Sequence, residues 1–99
     1  MDFKIIISEE ATEDLERIVS FIAIDDPQAA ANFGKKLIAA AKVLRRHPRI
    51  GRVVPEFNDN QLRELVFGNY RIPYRIKETT GTIEILRYWH AARGIPELK

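Results

Sequence analysis

Apolar residues recur in this chain with two different periods. The change of period marks where helices should give way to strands. Phe3 to Ile7 is β-branched and apolar around a single lysine, too short for a useful helix, and reads as a strand. Ser8-Glu9-Glu10 follows as a helix start. The Ser8 hydroxyl can accept a bond from a first-turn amide, and the two glutamates oppose the positive end of the helix dipole. Ala11, Leu15, Ile18, Val19 and Ile22 then recur at three- and four-residue steps opposite Glu9, Glu13, Glu16 and Arg17. This predicts a helix lying on a sheet with its acids outward.

Asp25-Asp26-Pro27 interrupts the pattern, because the residue before proline is pushed out of helical space while proline suits the first position of a new helix. Asp26 is the expected second N-cap. Ala30, Phe33, Leu37, Ala40 or Ala41, and Leu44 form the next apolar stripe, so the two helices should make an antiparallel hairpin of four to six turns each. Arg45, Arg46 and His47 place positive charge at the end of the run, and Pro48 stops it.

Gly51 to Asn60 reads as a polar connection. Leu62–Phe67, Tyr70–Lys77 and Thr82–His90 then read as strands, with Gly68-Asn69 and Glu78–Gly81 as hairpin turns. In the middle strand Tyr70, Ile72, Tyr74 and Ile76 alternate with Arg71, Pro73, Arg75 and Lys77. One sheet face should therefore hold the helix hairpin, and the other should present arginines, where a function would sit. Pro73 cannot donate to a ladder, so its nitrogen should meet an unpaired side or a bulge. The fold class expected is α+β: an N-terminal strand, then an antiparallel helical hairpin on one face of a mainly antiparallel sheet that a C-terminal three-stranded meander completes.

A chain of 99 residues, 45% hydrophobic and 30% charged, has the balance of one globular domain spanning 1–99. Without cysteine there is no disulfide, thiolate nucleophile or sulfur-ligated zinc. The five glycines are isolated, which argues against a phosphate loop, and the two histidines lack metal-ligand spacing. No cofactor or metal is expected. Neither a signal-like start nor an apolar run long enough to span a bilayer is visible, so the expectation is a cytoplasmic protein that does not engage membranes. The net charge of +2 hides an uneven distribution: residues 9–16 hold five acids and no base, and residues 42–52 hold five bases and no acid.

Arg63, Arg71, Arg75, Arg87, His90 and Arg93 all fall on or just after the expected strands. Arginine makes forked bonds to phosphate and histidine titrates near neutrality, so such a group could bind RNA and assist phosphodiester cleavage, with Glu56 or Glu64 as a carboxylate partner. The competing reading is a solvated face whose arginines pair with Glu64, Glu78 and Glu84. Lys42–Arg52 has the same two readings, nucleic-acid contact or charge compensation at a helix end.

Ala11-x-x-Asp14-Leu15-x-x-Ile18, Asp26-Pro27-x-Ala29-Ala30 and Leu44-x-x-x-Pro48-x-x-Gly51-Arg52-x-x-Pro55-Glu56 resemble the RelE/ParE superfamily of bacterial toxins. So do Arg63-Glu64-Leu65, Tyr70-Arg71-Ile72-x-Tyr74-Arg75-Ile76 and Ile85-Leu86-Arg87-Tyr88-Trp89-His90-x-x-Arg93. The resemblance runs in order from residue 3 to residue 93. It implies the same helical hairpin on a sheet, and a growth-inhibiting toxin of a type II toxin–antitoxin module of the plasmid-stabilisation type. The resemblance also implies a heteromeric complex with a cognate antitoxin, for which an acidic segment folding over the arginine face is expected.

Two targets follow from the resemblance. ParE-like members inhibit DNA gyrase; RelE-like members are metal-independent endoribonucleases that cut mRNA on the translating ribosome. The long helices and the Pro48-to-Glu56 segment look ParE-like, whereas Arg71, His90 and Arg93 look like a nuclease set. Ala91 stands where some RNA-cleaving members place a tyrosine after the last histidine, which leans the reading to gyrase. Arg52, Arg63, Arg75 and Arg87 are the candidate target-binding residues. A non-toxic interaction module of the same fold is the third possibility.

Overall fold

A computed structural model of the chain describes residues 2–98. The element order is β1 (Lys4–Ile7), α1 (Glu9–Ala23), α2 (Pro27–Ala40) with a 3₁₀ extension (Ala41–Arg45), β2 (Arg52–Val53), β3 (Leu62–Phe67), β4 (Tyr70–Lys77), β5 (Thr82–Ile85) and β6 (Trp89–His90). A short 3₁₀ turn over Ala91–Arg93 follows. The sheet order is β1-β5-β4-β3-β2, with β6 also paired to β4. Only β1 runs parallel to its neighbour, aligning Ile5 with Ile83 and Ile7 with Ile85; the other pairs are antiparallel.

Local chemistry sets the helix ends as the sequence leads one to expect. The Ser8 hydroxyl accepts from the Ala11 amide at 3.1 Å and donates to Leu86 O at 3.1 Å, so this cap also ties α1 to the segment that follows β5. Asp26 caps α2 through the Ala29 amide at 3.0 Å, with Pro27 in the first turn. The helices pack through Gly34, whose absent side chain makes room for Val19: a Cβ there would lie 2.9 Å from Val19 Cγ2.

Ile72, Tyr74 and Ile76 of β4 join Ile83, Ile85 and Tyr88 under Ala11, Leu37, Ala41 and Leu44 of the helical layer. Burying such side chains contributes about 1.5–3 kcal/mol each, which holds the hairpin to the sheet. Of the alternatives Ala40 and Ala41, Ala41 is the fully buried one.

The structure corrects four expectations. The 51–60 connection contains a strand, β2, because Arg52 and Val53 pair with Glu64 and Arg63 at the sheet edge. Thr82–His90 is two strands, with residues 86–88 standing opposite only Ile72 and Pro73 of β4. That bulge lies where Pro73 cannot donate; its carbonyl still accepts from Leu86 N at 2.8 Å. The acids of α1 do not all point outward, since Asp14 is buried. Finally, the arginine-bearing sheet face is neither open nor free: Val54, Leu62 and Leu86 form a second small core on it with Leu98, and Glu64 is fully buried there.

Candidate functional site

Each cation on the β3–β4 half of the sheet has been given a partner by the strand register. Glu64 on β3 lies opposite Pro73, two positions along from the Val66–Arg71 pair, so Glu64 and Arg71 share a face. Arg71 Nε donates to Glu64 Oε1 at 2.8 Å, while its terminal nitrogens donate to both oxygens of Glu56 at 2.7 and 3.1 Å. Arg52 Nε completes the group, donating to Glu64 Oε2 at 2.6 Å. The forked bond from Arg71 holds the Glu56 carboxyl below the usual glutamate range, and Glu56 in turn raises the already high pKa of Arg71.

The remaining arginines are likewise engaged. Arg63 donates to the backbone carbonyls of Asn60, Arg49 and Gly51, pinning the loop before β2 rather than facing outward. Arg75 reaches Asp59 at 3.4 Å. Arg49, outside the expected set, binds Glu78 and Gln61, and Lys77 rather than an arginine takes Glu84. The pairing with Glu64 anticipated for a structural arginine face is present, whereas Glu78 and Glu84 hold other bases.

A second assembly joins α1 to the C-terminal segment. Asp14 accepts two bonds from Arg87, from Nε at 2.7 Å and from a terminal nitrogen at 2.8 Å. It also accepts from the Tyr88 amide at 3.1 Å and from Arg17 at 2.6 Å. The bond to Asp14 raises the pKa of Arg87. Arg87 lies 4.9 Å from the centre of the Trp89 ring and Arg93 3.8 Å from it, so the indole contacts two guanidinium groups. Trp89 Nε1 donates to Gly94 O at 3.2 Å, fixing the ring's tilt.

His90 belongs to the opposite sheet face from Arg71. Tyr70 pairs with His90 and Arg71 with Trp89, so neighbouring residues point to opposite sides. The His90 ring stands edge-on to Tyr70 at 5.1 Å, and its Nδ1 accepts the Ala92 amide at 3.1 Å, which leaves Nε2 as the outward nitrogen. Of the three residues considered for catalysis, the fold thus brings His90 and Arg93 into one recess and leaves Arg71 elsewhere. Asp14, Arg17, Ile18, Phe21, Tyr70 and Tyr88 line the same recess. Tyr88 is buried, its hydroxyl has no hydrogen-bond partner among the described residues, and burial pushes its pKa up to about 12. Phe21, which lines the recess, is 76% exposed near the end of α1, and Ile24, just beyond the helix, is 79% exposed.

The sequence pattern passed over Asp14 and Phe21. A signal for Asp14 was present: it stands three residues after Ala11 and four before Ile18, on the apolar stripe, where a lone carboxylate implies a buried partner. No donor set for a metal is formed by three or more histidine or acidic side chains among the described residues. No described helix is long and apolar enough to cross a membrane.

Comparison with known proteins bears directly on this arrangement. Residues 5–95 match the family described as ParE toxin of type II toxin–antitoxin system, parDE. The chain belongs to the ParE toxin family. This ParE-family toxin is 34% identical over 90 residues to the putative toxin Y4kP of Sinorhizobium fredii, covering 89% of this chain and 88% of that protein. It is 29% identical over 90 residues to toxin RelE1 of Caulobacter vibrioides, covering 91% and 95%. Among solved structures, the chromosomal ParDE system of P. aeruginosa shares the fold with a TM-score of 0.73 at 21% identity, covering 89% of this chain and 95% of that one. The RelBE2 toxin–antitoxin complex of Mycobacterium tuberculosis superposes with a TM-score of 0.62 at 24% identity, covering 91% and 99%. The chain is therefore a toxin of a type II toxin–antitoxin system with the RelE/ParE fold.

Proposed function

We propose that this toxin arrests growth by binding DNA gyrase rather than by cutting RNA. The observation that carries the reading is the separation of Arg71 from His90 across the sheet, with the Arg71 guanidinium held by Glu56 and Glu64. Phosphodiester cleavage needs a base, an acid and a stabiliser of the phosphorane within hydrogen-bond reach of the same few atoms. Freeing Arg71 for an RNA phosphate would break contacts with two carboxylates, one of them fully buried, and strand an uncompensated charge. A surface-binding toxin requires no such convergence.

The same reading assigns a cognate antitoxin with an acidic segment as the partner. Its docking place is the recess between α1 and β6, where Arg93 stands without an ion pair among the described residues beside exposed Phe21 and Ile24. An acidic and partly apolar segment complements that mixture of charge and apolar surface.

The test runs purified toxin in a gyrase supercoiling assay beside an mRNA cleavage assay on translating ribosomes. Inhibited supercoiling with intact mRNA is the expected result. Site-specific mRNA cuts with normal supercoiling would overturn the reading in favour of a ribonuclease, and unaffected growth on expression without antitoxin would overturn both.

A further inference from the structure

The basic run 42–52 is resolved by the fold into two populations. Arg49 and Arg52 are held by Glu78 and Glu64. Lys42, Arg45, Arg46 and His47 instead line a single shallow recess at the end of the α2 extension, and Lys4 of β1 joins Arg45 in the adjoining one. All five are exposed. Among the described residues Asp2 is the one carboxylate lining either recess, and its contacts are loose: 3.7 Å to Arg45 and 3.8 Å to Arg46, with those side chains 58% and 79% exposed.

Compensation of the helix end does not account for these charges. None of these side chains bonds a helix-end carbonyl among the described residues, and two of those carbonyls are taken by backbone amides: Val43 O accepts from Arg46 N and His47 N, and Arg45 O accepts from Phe3 N. Among the described residues no side chain of these five bases makes a hydrogen bond, whereas seven of the other eight arginines are engaged by carboxylates or carbonyls. Their guanidinium and ammonium groups are exposed to solvent, on a surface of the sign that a run of phosphates would meet.

We propose that this basic end, Lys4, Lys42, Arg45 and Arg46, grips the phosphate backbone of duplex DNA, and that the duplex is the segment gyrase itself holds when the toxin engages it. The inference rests on the gyrase reading for its setting, but the contact with DNA stands on the recess alone. Because the side chains reach phosphates and not base edges, binding should be indifferent to sequence. Its salt dependence should be steep: for about three phosphate contacts, threefold more salt weakens binding about 20-fold.

Fluorescence anisotropy of a short labelled duplex with the purified toxin tests this, alongside the supercoiling assay. The triple variant Lys42→Gln/Arg45→Gln/Arg46→Gln should bind at least about tenfold more weakly and flatten the salt slope by nearly three. Asp2→Asn should bind more tightly, because it removes the carboxylate nearest Arg45 and Arg46. A wild-type salt slope shallower than about −1, an unaltered triple variant, or an Asp2→Asn variant that binds no more tightly would overturn the proposal. Gyrase inhibition without duplex binding would sink this inference and leave the proposed function intact. Duplex binding without inhibition would sink the gyrase reading and leave the DNA contact standing.

Discussion

Asp14 is the residue on which the C-terminal segment depends, and removing its carboxylate has a calculable effect. In Asp14→Ala the Tyr88 amide, buried at 3.1 Å from Asp14 Oδ2, loses its acceptor. An unsatisfied buried donor costs about 1–3 kcal/mol. The Arg87 guanidinium, only 13% exposed, loses a two-point carboxylate contact. Breaking a buried pair by removing one partner costs about 3–5 kcal/mol. The two effects share one group and do not add in full, because the truncated site can admit water to Arg87. We expect a loss of about 3–4 kcal/mol, and for a chain of this size each kcal/mol lowers Tm by about 4–8 °C. Arg17 supplies the internal control: it contacts Asp14 Oδ1 at 2.6 Å, yet its side chain is 64% exposed, so Arg17→Ala should cost about 0–1 kcal/mol. Thermal and urea unfolding followed by circular dichroism would measure Asp14→Ala, Arg17→Ala and Arg87→Ala, with Asp14→Ala/Arg87→Ala closing a double-mutant cycle. A loss below about 1 kcal/mol in Asp14→Ala, or strictly additive effects in the cycle, would refute the view that a buried pair anchors α1 to residues 87–90.

Other consequences are checked by the same methods. Tyr74 donates to Pro48 O at 2.6 Å and accepts from Gly51 N at 3.1 Å, so Tyr74→Phe strands two backbone groups and should cost about 1–3 kcal/mol by urea unfolding. Gly51→Ala should cost about as much or more, because its Cβ would lie 2.6 Å from both Glu64 O and the Tyr74 hydroxyl; a variant as stable as wild type would show that this turn gives way. Glu56→Gln should destabilise at neutral pH but not in acid: bonding to Arg71 lowers the folded-state pKa from the usual 4.5. The advantage of wild type is therefore present above that value and disappears as pH falls through the lower one. A pH-independent difference in stability would count against the ion pair as its cause. His90→Ala should leave growth inhibition intact, since His90 here caps a 3₁₀ turn through Nδ1; loss of toxicity with retained folding would restore a catalytic role.

Much of the architecture is readable from local rules, and the places where reading fails share a cause. Ser8 and Asp26 cap the helices that their neighbours announce, and Gly68, with φ of 58°, turns β3 into β4 at the position a two-residue hairpin reserves for glycine. These outcomes depend on residues a few positions apart. The proline expectation also succeeds, because the missing donor of Pro73 is intrinsic to the residue and the bulge at 86–88 forms opposite it. What local rules could not supply is the state of a charge. Arg71 and Arg93 look alike in sequence, yet one is buried between Glu56 and Glu64, fifteen and seven residues away, while the other stacks on Trp89.

The sequence by itself determined the two helices, the strand periods, the hairpin turns and the family, since each follows from short-range preference or from an ordered set of residue types. Only the tertiary structure decided that β2 exists, that Asp14 turns inward, and which arginines remain available to a partner. A carboxylate neutralises an arginine only when strand register or helix packing brings their atoms within about 3 Å, and that distance is a property of the assembled sheet, not of chain spacing. So the arginines that the pattern placed on an open face are mostly spoken for, and among the described residues the arginines whose side chains make no hydrogen bond are Arg93, Arg45 and Arg46.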